Sequence, residues 1–340
     1  MSSSPRLEEL QIIQLLKADV RLSFAKMGTI LGVSEQTAAR RYQALVREGV
    51  IRCTALLDSS PFGQAKWILR IVPAAGGGNS LAESLARHPA MSWVGVTASE
   101  IICEYQPWSD VDRDTMLTDR LPKTSVVQSV TGLQTLRRFP LATPWPDLKW
   151  TLNDTQREAL ERHADSAFAS RTEGDTTTSN TGNTLAVADQ KLAGVLTRDP
   201  RASYSQLAKH TGMPAPRVAA RIRELAESGV LQFDLDLAHG AIGFPVAAGI
   251  FANVPLDRLE AAGHALGQLS EVQFVCATTG PTNLFAAIGC RDVEHLYHLL
   301  TRQISTVEGV GRVEVSTDLR QFKNFHALVK HDRLRGATPS

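Results

Sequence analysis

The chain repeats itself. Displaced by 180 residues, it falls into register with its own second half. Leu16 lands on Leu196, Asp19 on Asp199, Arg21 on Arg201, Ser23 on Ser203, Gly32 on Gly212, Ala39 on Ala219, Arg41 on Arg221, Leu45 on Leu225, and Gly49-Val50 on Gly229-Val230. These are ten identities over the 36 positions from Leu16 to Ile51, without a gap. Phe24/Tyr204, Met27/Leu207, Val33/Met213 and Ile51/Leu231 exchange like for like, and the register still holds at Leu57/Leu237 and Gly63/Gly243. Such a repeat means that one supersecondary layout is used twice. The match continues loosely, with Pro73 against Pro255, Trp93-Val94 against Phe274-Val275, and Thr97 against Thr278. Each half therefore has a helical front and a longer back part.

Residues 170–184, SRTEGDTTTSNTGNT, separate the halves and hold almost no apolar side chain. Such a stretch cannot bury enough area to offset its ordering entropy and is expected to be a flexible linker. Before it, Asn153–Ala169 reads as a helix with Leu160 and His163 on one side. Pro140–Trp150, with three prolines and two tryptophans, reads as an irregular strap.

In the first front part, Leu7–Lys17 places apolar residues at 12, 15 and 16, a helical face. Ser23 caps a second helix running to about Leu31, with Phe24, Met27 and Ile30 or Leu31 inward, and Gly32 ends it. Ser34 caps a third, Glu35–Glu48, whose Ala38, Tyr42 and Leu45 face inward, and Gly49 stops it. The second copy repeats this with Val218, Ile222 and Leu225 inward and Gly229 as the stop.

Two short helices joined through a glycine turn, the second basic on its outer face, describe a helix-turn-helix. Residues 16–51 hold six Lys and Arg against three carboxylates, as do residues 196–231; each module is at +3, leaving −5 elsewhere in a chain of net +1. Two basic modules in an otherwise acidic protein suit phosphate neutralisation. Ser34, Gln36, Thr37 and Arg40 fall outward on the first turns of the third helix, where base edges are met. Arg47, Arg217 and Arg223 supply further cations. Arg41 and Arg221 share one repeat position beside inward Tyr42 and Ile222; that position either touches phosphate or braces the helix through an internal ion pair. Pro214 and Pro216 open the second copy's helix and remove donors, so the two modules are expected to read different half-sites, or one of them mainly to hold phosphate.

In the second back part, Pro245–Val254, Val272–Thr278, Leu284–Gly289 and Val310–Leu319 read as strands, with helices at Leu256–Leu269 and Val293–Ile304. The order is βαββαβ, the split ferredoxin-like unit. The first half gives the same order from Lys66–Val72, Ser80–Arg87, Met91–Thr97, Glu100–Gln106, Val111–Leu121 and Ser125–Thr131. The expected class is α+β: a winged-helix-type helix-turn-helix followed by the βαββαβ domain, the pair used twice. The expected division is 1–55, 56–147, a helix and linker at 148–184, 185–235 and 236–330.

Other chemistry is sparse. Hydrophobic residues at 43% and charged residues at 21% fit a soluble globular chain. The longest apolar runs, such as Phe244–Val254, are about half the ~20 residues of a membrane span. No secretory pattern opens the sequence, and Cys53, Cys103, Cys276 and Cys290 form no C-x-x-C pair, so a reduced cytoplasmic setting is expected. His295 and His298 share a helical face but lack further ligands at metal spacing, and Gly76-Gly77-Gly78 is no phosphate cradle. Neither a metal nor a cofactor is expected. Cys276 and Cys290 read as buried strand residues, and Trp67 and Trp93 as core or interface.

The front helices, with L-x-x-D-x-R-x-S and then G-V-S-x-x-T-x-x-x-R over Gly32–Arg41, resemble the DNA-binding domain of the Lrp/AsnC (feast/famine) transcription regulators. The βαββαβ part, with T-T-G-P-T-N at Thr278–Asn283, is similar to that family's ligand-sensing (RAM) domain. The resemblance covers about 7–147 and 185–330 and matches the long members that carry the pair twice. It implies a regulator, not an enzyme, that binds double-stranded promoter or operator DNA and self-associates through its sensing domains. It also implies control by a small effector, an amino acid or related metabolite, near the turn between the second and third strands. On this chain that turn is Thr278, Thr279, Gly280, Pro281, Thr282 and Asn283, with Asn283 where the family frequently has Asp. The first unit reads Thr97-Ala98-Ser99-Glu100, two residues shorter and without the glycine, so the effector is expected in the second unit. Carrying both units, the chain is also able to pair with itself internally. Two other readings predict different behaviour. A nucleoid-type protein binds DNA with little sequence preference. Sirohaem decarboxylases resemble the same fused pairs but need His and Arg near the sensing turn, which this sequence lacks there.

Overall fold

The computed structural model describes residues 6–60, 63–169, 185–325 and 327–336. The linker assigned to 170–184 lies outside the described residues. The first front part is α1 (Leu7–Ala18), α2 (Phe24–Leu31) and α3 (Glu35–Arg47), followed by a strand, β1 (Ile51–Leu57). Ile12, Ile13, Leu15 and Leu16 of α1 are fully buried with Met27, Ala38 and Leu45. The Ser23 side chain accepts from Lys26 N, and Gly32 takes the left-handed conformation at φ +67°. That conformation is open to glycine and costly for a residue with a Cβ.

The first back part is β2 (Trp67–Pro73), α4 (Gly78–Arg87), β3 (Met91–Val96), β4 (Ile101–Tyr105) and a helical run of α5 (Asp110–Asp114), a π-helical turn (Thr115–Arg120) and α6 (Leu121–Lys123), closed by β5 (Val127–Arg138). The strap follows; Pro140–Leu148 has no regular element. Next come α7 (Asp154–His163) and a 3-10 turn (Ser166–Phe168), so the helix expected over Asn153–Ala169 breaks at Ala164.

The second copy runs α8 (Val187–Leu196), α9 (Tyr204–Thr211), α10 (Ala215–Glu227) and β6 (Leu231–Leu237). Its back part is β7 (Val246–Ala252), α11 (Leu259–Gly267), β8 (Val272–Thr278), β9 (Leu284–Cys290), α12 (Val293–His298) with a following π turn, and β10 (Val313–Thr317). A tail that the repeat does not announce adds β11 (Arg320–Asn324), β12 (Ala327–Lys330) and β13 (Arg333–Arg335).

The two copies pair within the chain. β1 and β6 form an antiparallel ribbon with seven partners, from Ile51↔Leu237 to Leu57↔Leu231. All other strands among the described residues form one eleven-stranded sheet in the order β10-β7-β9-β8-β5-β2-β4-β3-β11-β12-β13. Each half lends a strand to the other. The end of β5 adds to β8 (Thr135↔Thr278, Arg138↔Cys276), and β11 adds to β3 (Arg320↔Val96, Lys323↔Val94). Between the two sheet halves lies a shared core of Ile68, Ile102, Leu133, Phe251, Phe274, Cys276 and Phe285. Its residues come from both units, so neither can bury this face alone. Trp93 packs against this core. All four cysteines are free and buried.

Candidate functional site

On α3 the outer face is Gln36, Arg40, Gln43 and Arg47, all exposed and spaced i, i+4, i+7, i+11. Ser34 caps the helix: its Oγ accepts from Thr37 N at 3.1 Å and lies 2.9 Å from Thr37 Oγ1. Among the described residues, Arg40 and Arg47 have no ion pair. Gln43 is the residue that the sequence reading left out, although its spacing from Gln36 points to it.

The repeat positions on α10 are Pro216, Ala220, Arg223 and Glu227, a different chemistry. Arg223 is ion-paired to Asp165 and to Glu227 at 3.7 Å. Arg217 is exposed, without an ion pair among the described residues.

The shared arginine position takes the bracing role. Arg221 holds the buried carboxylate of Asp189 with two hydrogen bonds, 2.9 and 2.7 Å, and reaches Glu224 at 2.8 Å. Arg41 lies 3.7 Å from Glu8. The +3 of each module is therefore not all offered to phosphate. Lys17 is buried, and its Nζ donates to the carbonyls of Pro144, at 2.6 Å, and Pro146. Burial pushes that amine down to about 7. Arg21 and Arg201 hold main-chain carbonyls across the junction of the two modules. Formal charge counts cations, whatever they face.

The sensing turn also differs from expectation. Asn283 makes a two-point clasp on the main chain of Val254: its Oδ1 accepts from Val254 N at 2.9 Å and its Nδ2 donates to Val254 O at 2.7 Å. Thr278 Oγ1 donates to Thr282 O at 3.1 Å. Thr279 N donates to Gln134 O and Thr279 Oγ1 accepts from Gln134 N, both at 2.9 Å. These side chains join strands instead of standing free for an amino group. Gly280 has φ +105°, and a Cβ there would lie 2.4 Å from Leu133 Cδ2 of the other unit. Pro281 is exposed, and Thr282 is buried with an Oγ1 that has no hydrogen-bond partner among the described residues. In the first unit, Thr97 Oγ1 donates to Glu100 O at 3.1 Å, and the Glu100 carboxylate is forked by Arg70, which also reaches Glu314 of the second unit.

Under the β1–β6 ribbon a second polar group gathers. Asp58 accepts from Ser60 N, Lys66 Nζ, Gln106 Nε2 and Gln232 Nε2, the last from the other unit. Burial alone would raise its pKa, but the lysine charge and the hydrogen bonds outweigh it and hold the carboxyl at about 2. Beside it, His239 is packed edge-on against Trp145 at 4.6 Å, and burial pushes its imidazole down to about 4. Nothing in the repeat pattern marks these residues, because they meet only when the units pair.

A model of the AsnC-type helix-turn-helix domain matches residues 9–46. One of winged helix-turn-helix DNA-binding domains matches 188–232, and one of the Lrp/AsnC ligand binding domain matches 250–328. Residues 9–46 and 250–328 are thus an AsnC-type helix-turn-helix domain and an Lrp/AsnC ligand binding domain. Regulatory protein AsnC of Escherichia coli is 25% identical over 130 residues, covering 37% of this chain and 84% of that protein. An uncharacterized HTH-type transcriptional regulator of Pyrococcus furiosus is 24% identical over 129 residues, 38% of this chain and 87% of that one. Each relative thus matches about one unit of an Lrp/AsnC pair. Along nearly the full length, the fold is that of the siroheme decarboxylase NirDL, with a TM-score of 0.59 at 15% identity, covering 94% of this chain and 93% of that chain. At that identity the likeness is one of fold alone. No helix among the described residues is long and apolar enough to cross a membrane.

Proposed function

We propose that the chain is an effector-controlled transcription regulator of the Lrp/AsnC type that reads an asymmetric DNA site as an internal pseudo-dimer. The observation that carries this is the β1–β6 ribbon, which fixes two unlike helix-turn-helix modules side by side in one chain. In this reading Gln36, Arg40, Gln43 and Arg47 of α3 enter the major groove, with Ser34 and Thr37 at its start. The second module, with Pro216 and Ala220 on the corresponding face, holds backbone phosphate through Arg217 and the exposed Arg198 and Lys209. A palindromic site would leave half of its base information unread. The natural site is therefore one informative half-site beside a loosely specified one.

Regulation rather than catalysis, action in the cytoplasm on chromosomal DNA, and further self-association through the sensing domains belong to the same reading. The sensing turn Thr278–Asn283 carries no His or Arg to hold and protonate a tetrapyrrole, which favours this reading over a decarboxylase on the same fold. The test is binding to fragments of the intergenic DNA beside its own coding sequence, at several salt concentrations. One fragment bound in preference to competitor DNA, with its footprint unequal in the two halves, supports the reading. Uniform weak binding that vanishes as salt rises makes it a nucleoid-type protein instead.

A further inference from the structure

The second unit ends in a hairpin that the first unit does not have. Where β5 runs on into the irregular strap, β11 runs on into β12 and β13, which pair antiparallel as Leu328↔Arg335, Val329↔Leu334 and Lys330↔Arg333. His331 and Asp332 make the two-residue turn between them, both left-handed at φ 51° and 56°, which suits the twist of paired strands. The pleat gives the hairpin two unlike faces. Ala327, Val329 and Leu334 pack into the core of the DNA modules. Lys330, Arg333 and Arg335 share the opposite face, with Lys330 and Arg335 exposed.

The hairpin is seated at the end of α3. Leu334 N donates to Gly49 O at 2.8 Å, and a Cβ on Gly49 would lie 2.7 Å from Leu334 O and 3.1 Å from Arg333 Cβ. Glycine lets the hairpin come this close, just past Arg47, the last cation on the outer face of α3. The hairpin holds three cations against Asp332, in a chain whose balance outside the two modules is negative. Lys330 and Arg333 stand directly opposite one another, and like charges so placed repel. An anion lying over that face relieves the repulsion. Charge on an outer strand also deters edge-to-edge pairing. That need does not choose a sign, however, and β10 at the other edge of the sheet carries Glu314 and no cation.

We propose that this C-terminal hairpin is a third DNA-binding element, a basic wing that holds backbone phosphate beside the half-site under α3. The inference deepens the regulator reading and rests on it for the placing of α3 on DNA. Gln36 to Arg47 spans about 16 Å at 1.5 Å per residue, so a hairpin at the far end of the helix meets phosphates outside the bases that the helix reads. Such contacts fix register and orientation and carry no sequence information. Lys330 and Arg335 supply the charge, and the apolar face with Leu334 holds them at a fixed place on the module. The strap, which is the first unit's counterpart of the tail, has no strand to offer α10. The wing therefore lengthens the contact on one side of the site only.

The experiment is a set of binding isotherms on the full chain at several salt concentrations, with the intergenic fragment and with unrelated duplex DNA, and a backbone footprint at the lowest salt. The double variant Lys330→Ala, Arg335→Ala is expected to bind both DNAs about tenfold more weakly. Its slope of log affinity against log salt should fall by roughly 0.9 for each phosphate given up. Its footprint should shorten at one end, next to the half-site under α3. Its melt should match the wild type, since both side chains are exposed. Lys330→Arg with Arg335→Lys keeps both charges and should keep the wild-type slope. An unchanged slope and footprint in the alanine variant overturns the proposal and leaves the hairpin as protection for the sheet edge. An equal loss in the charge-conserving variant overturns it too, because phosphate neutralisation needs only the charge. If Arg40→Ala weakens binding and the hairpin variant does not, the regulator reading stands without the wing. A chain that binds neither DNA loses both.

Discussion

Arg21 and Arg201 stand 180 residues apart at the same place in the repeat, and each holds the other's neighbours. The Arg21 guanidinium donates to Pro200 O and, at 2.7 Å, to Ala202 O, and lies 5.0 Å from the centre of the Tyr204 ring. Arg201 donates to Val20 O and, at 2.7 Å, to Leu22 O, and lies 4.9 Å from the centre of the Phe24 ring and 5.1 Å from that of Tyr42. The exchange fixes the two DNA modules relative to one another just before each second helix begins. The planar guanidinium meets the two carbonyls with two separate N–H groups in a fixed fork, a geometry the shorter-headed lysine does not reproduce.

Arg201→Lys is therefore expected to lower stability by about 1–3 kcal/mol, since buried carbonyls lose donors. DNA affinity should fall with it, although neither arginine faces DNA in the proposed complex. Denaturant melts and binding isotherms on the same preparation check both. A variant that melts unchanged would show that the modules are spaced by the β1–β6 ribbon alone.

The exposed and the paired arginines should part company on mutation. Arg40→Ala and Arg47→Ala are expected to weaken DNA binding about tenfold each. Every phosphate left without its arginine should lower the slope of log affinity against log salt by roughly 0.9, with thermal stability unchanged. Arg221→Ala should do the reverse. It strands the buried Asp189 carboxylate and costs about 2 kcal/mol of stability, with little change in the salt slope. The measurements are affinity at four or five salt concentrations and a denaturant melt for each variant. Equal salt slopes for Arg40→Ala and Arg221→Ala would refute the division.

What the sequence showed and what it hid follow from the range of the interactions. The helices were legible because caps and apolar spacing act within a few residues. Ser23, Gly32 and Ser34 do their work locally, and the structure places them as expected. The βαββαβ order was legible for the same reason, with Val272–Thr278 found to the residue. The β1 and β6 strands were not read as such, because each is stabilised by a partner 180 or so residues away. The tail from Arg320 was missed because it has no copy in the first half. Around the sensing turn, T-T-G-P-T-N suggested free polar groups. Thr279 and Asn283 instead find partners at Gln134 and Val254, which no local pattern reveals.

Gly280 illustrates the same point in testable form. The sequence reading expects a β-branched residue there to abolish the effector response and leave the fold intact. The structure gives a different expectation. At φ +105° a side chain is strained, and its Cβ would meet Leu133 Cδ2 at 2.4 Å on the seam between the units. Gly280→Val should therefore cost about 1–3 kcal/mol of stability. Calorimetric melting decides between them; a wild-type melt combined with a lost response would restore the turn as the effector site.

Acid should loosen the junction through His239. Its folded pKa of about 4 lies below the ordinary value of 6.5 because the imidazole is buried. Between those values the unfolded chain binds a proton that the folded chain refuses, so this group's contribution to stability falls as pH falls from about 6.5 to about 4. Asp318, pushed up to about 7 by burial, works in the opposite direction and is common to wild type and variant. The full span corresponds to roughly 3 kcal/mol at most, by the exchange of 1.36 kcal/mol per pKa unit. Asp58, held at about 2, adds its own loss only below about pH 4, so the two are separable. His239→Gln removes the titrating group and keeps a side-chain amide near Asn324. Urea melts at half-unit steps from pH 7 to pH 4 should show a steeper decline for the wild type than for the variant, converging above pH 7. Parallel curves would mean that His239 takes up its proton in the folded chain as readily as in the unfolded one.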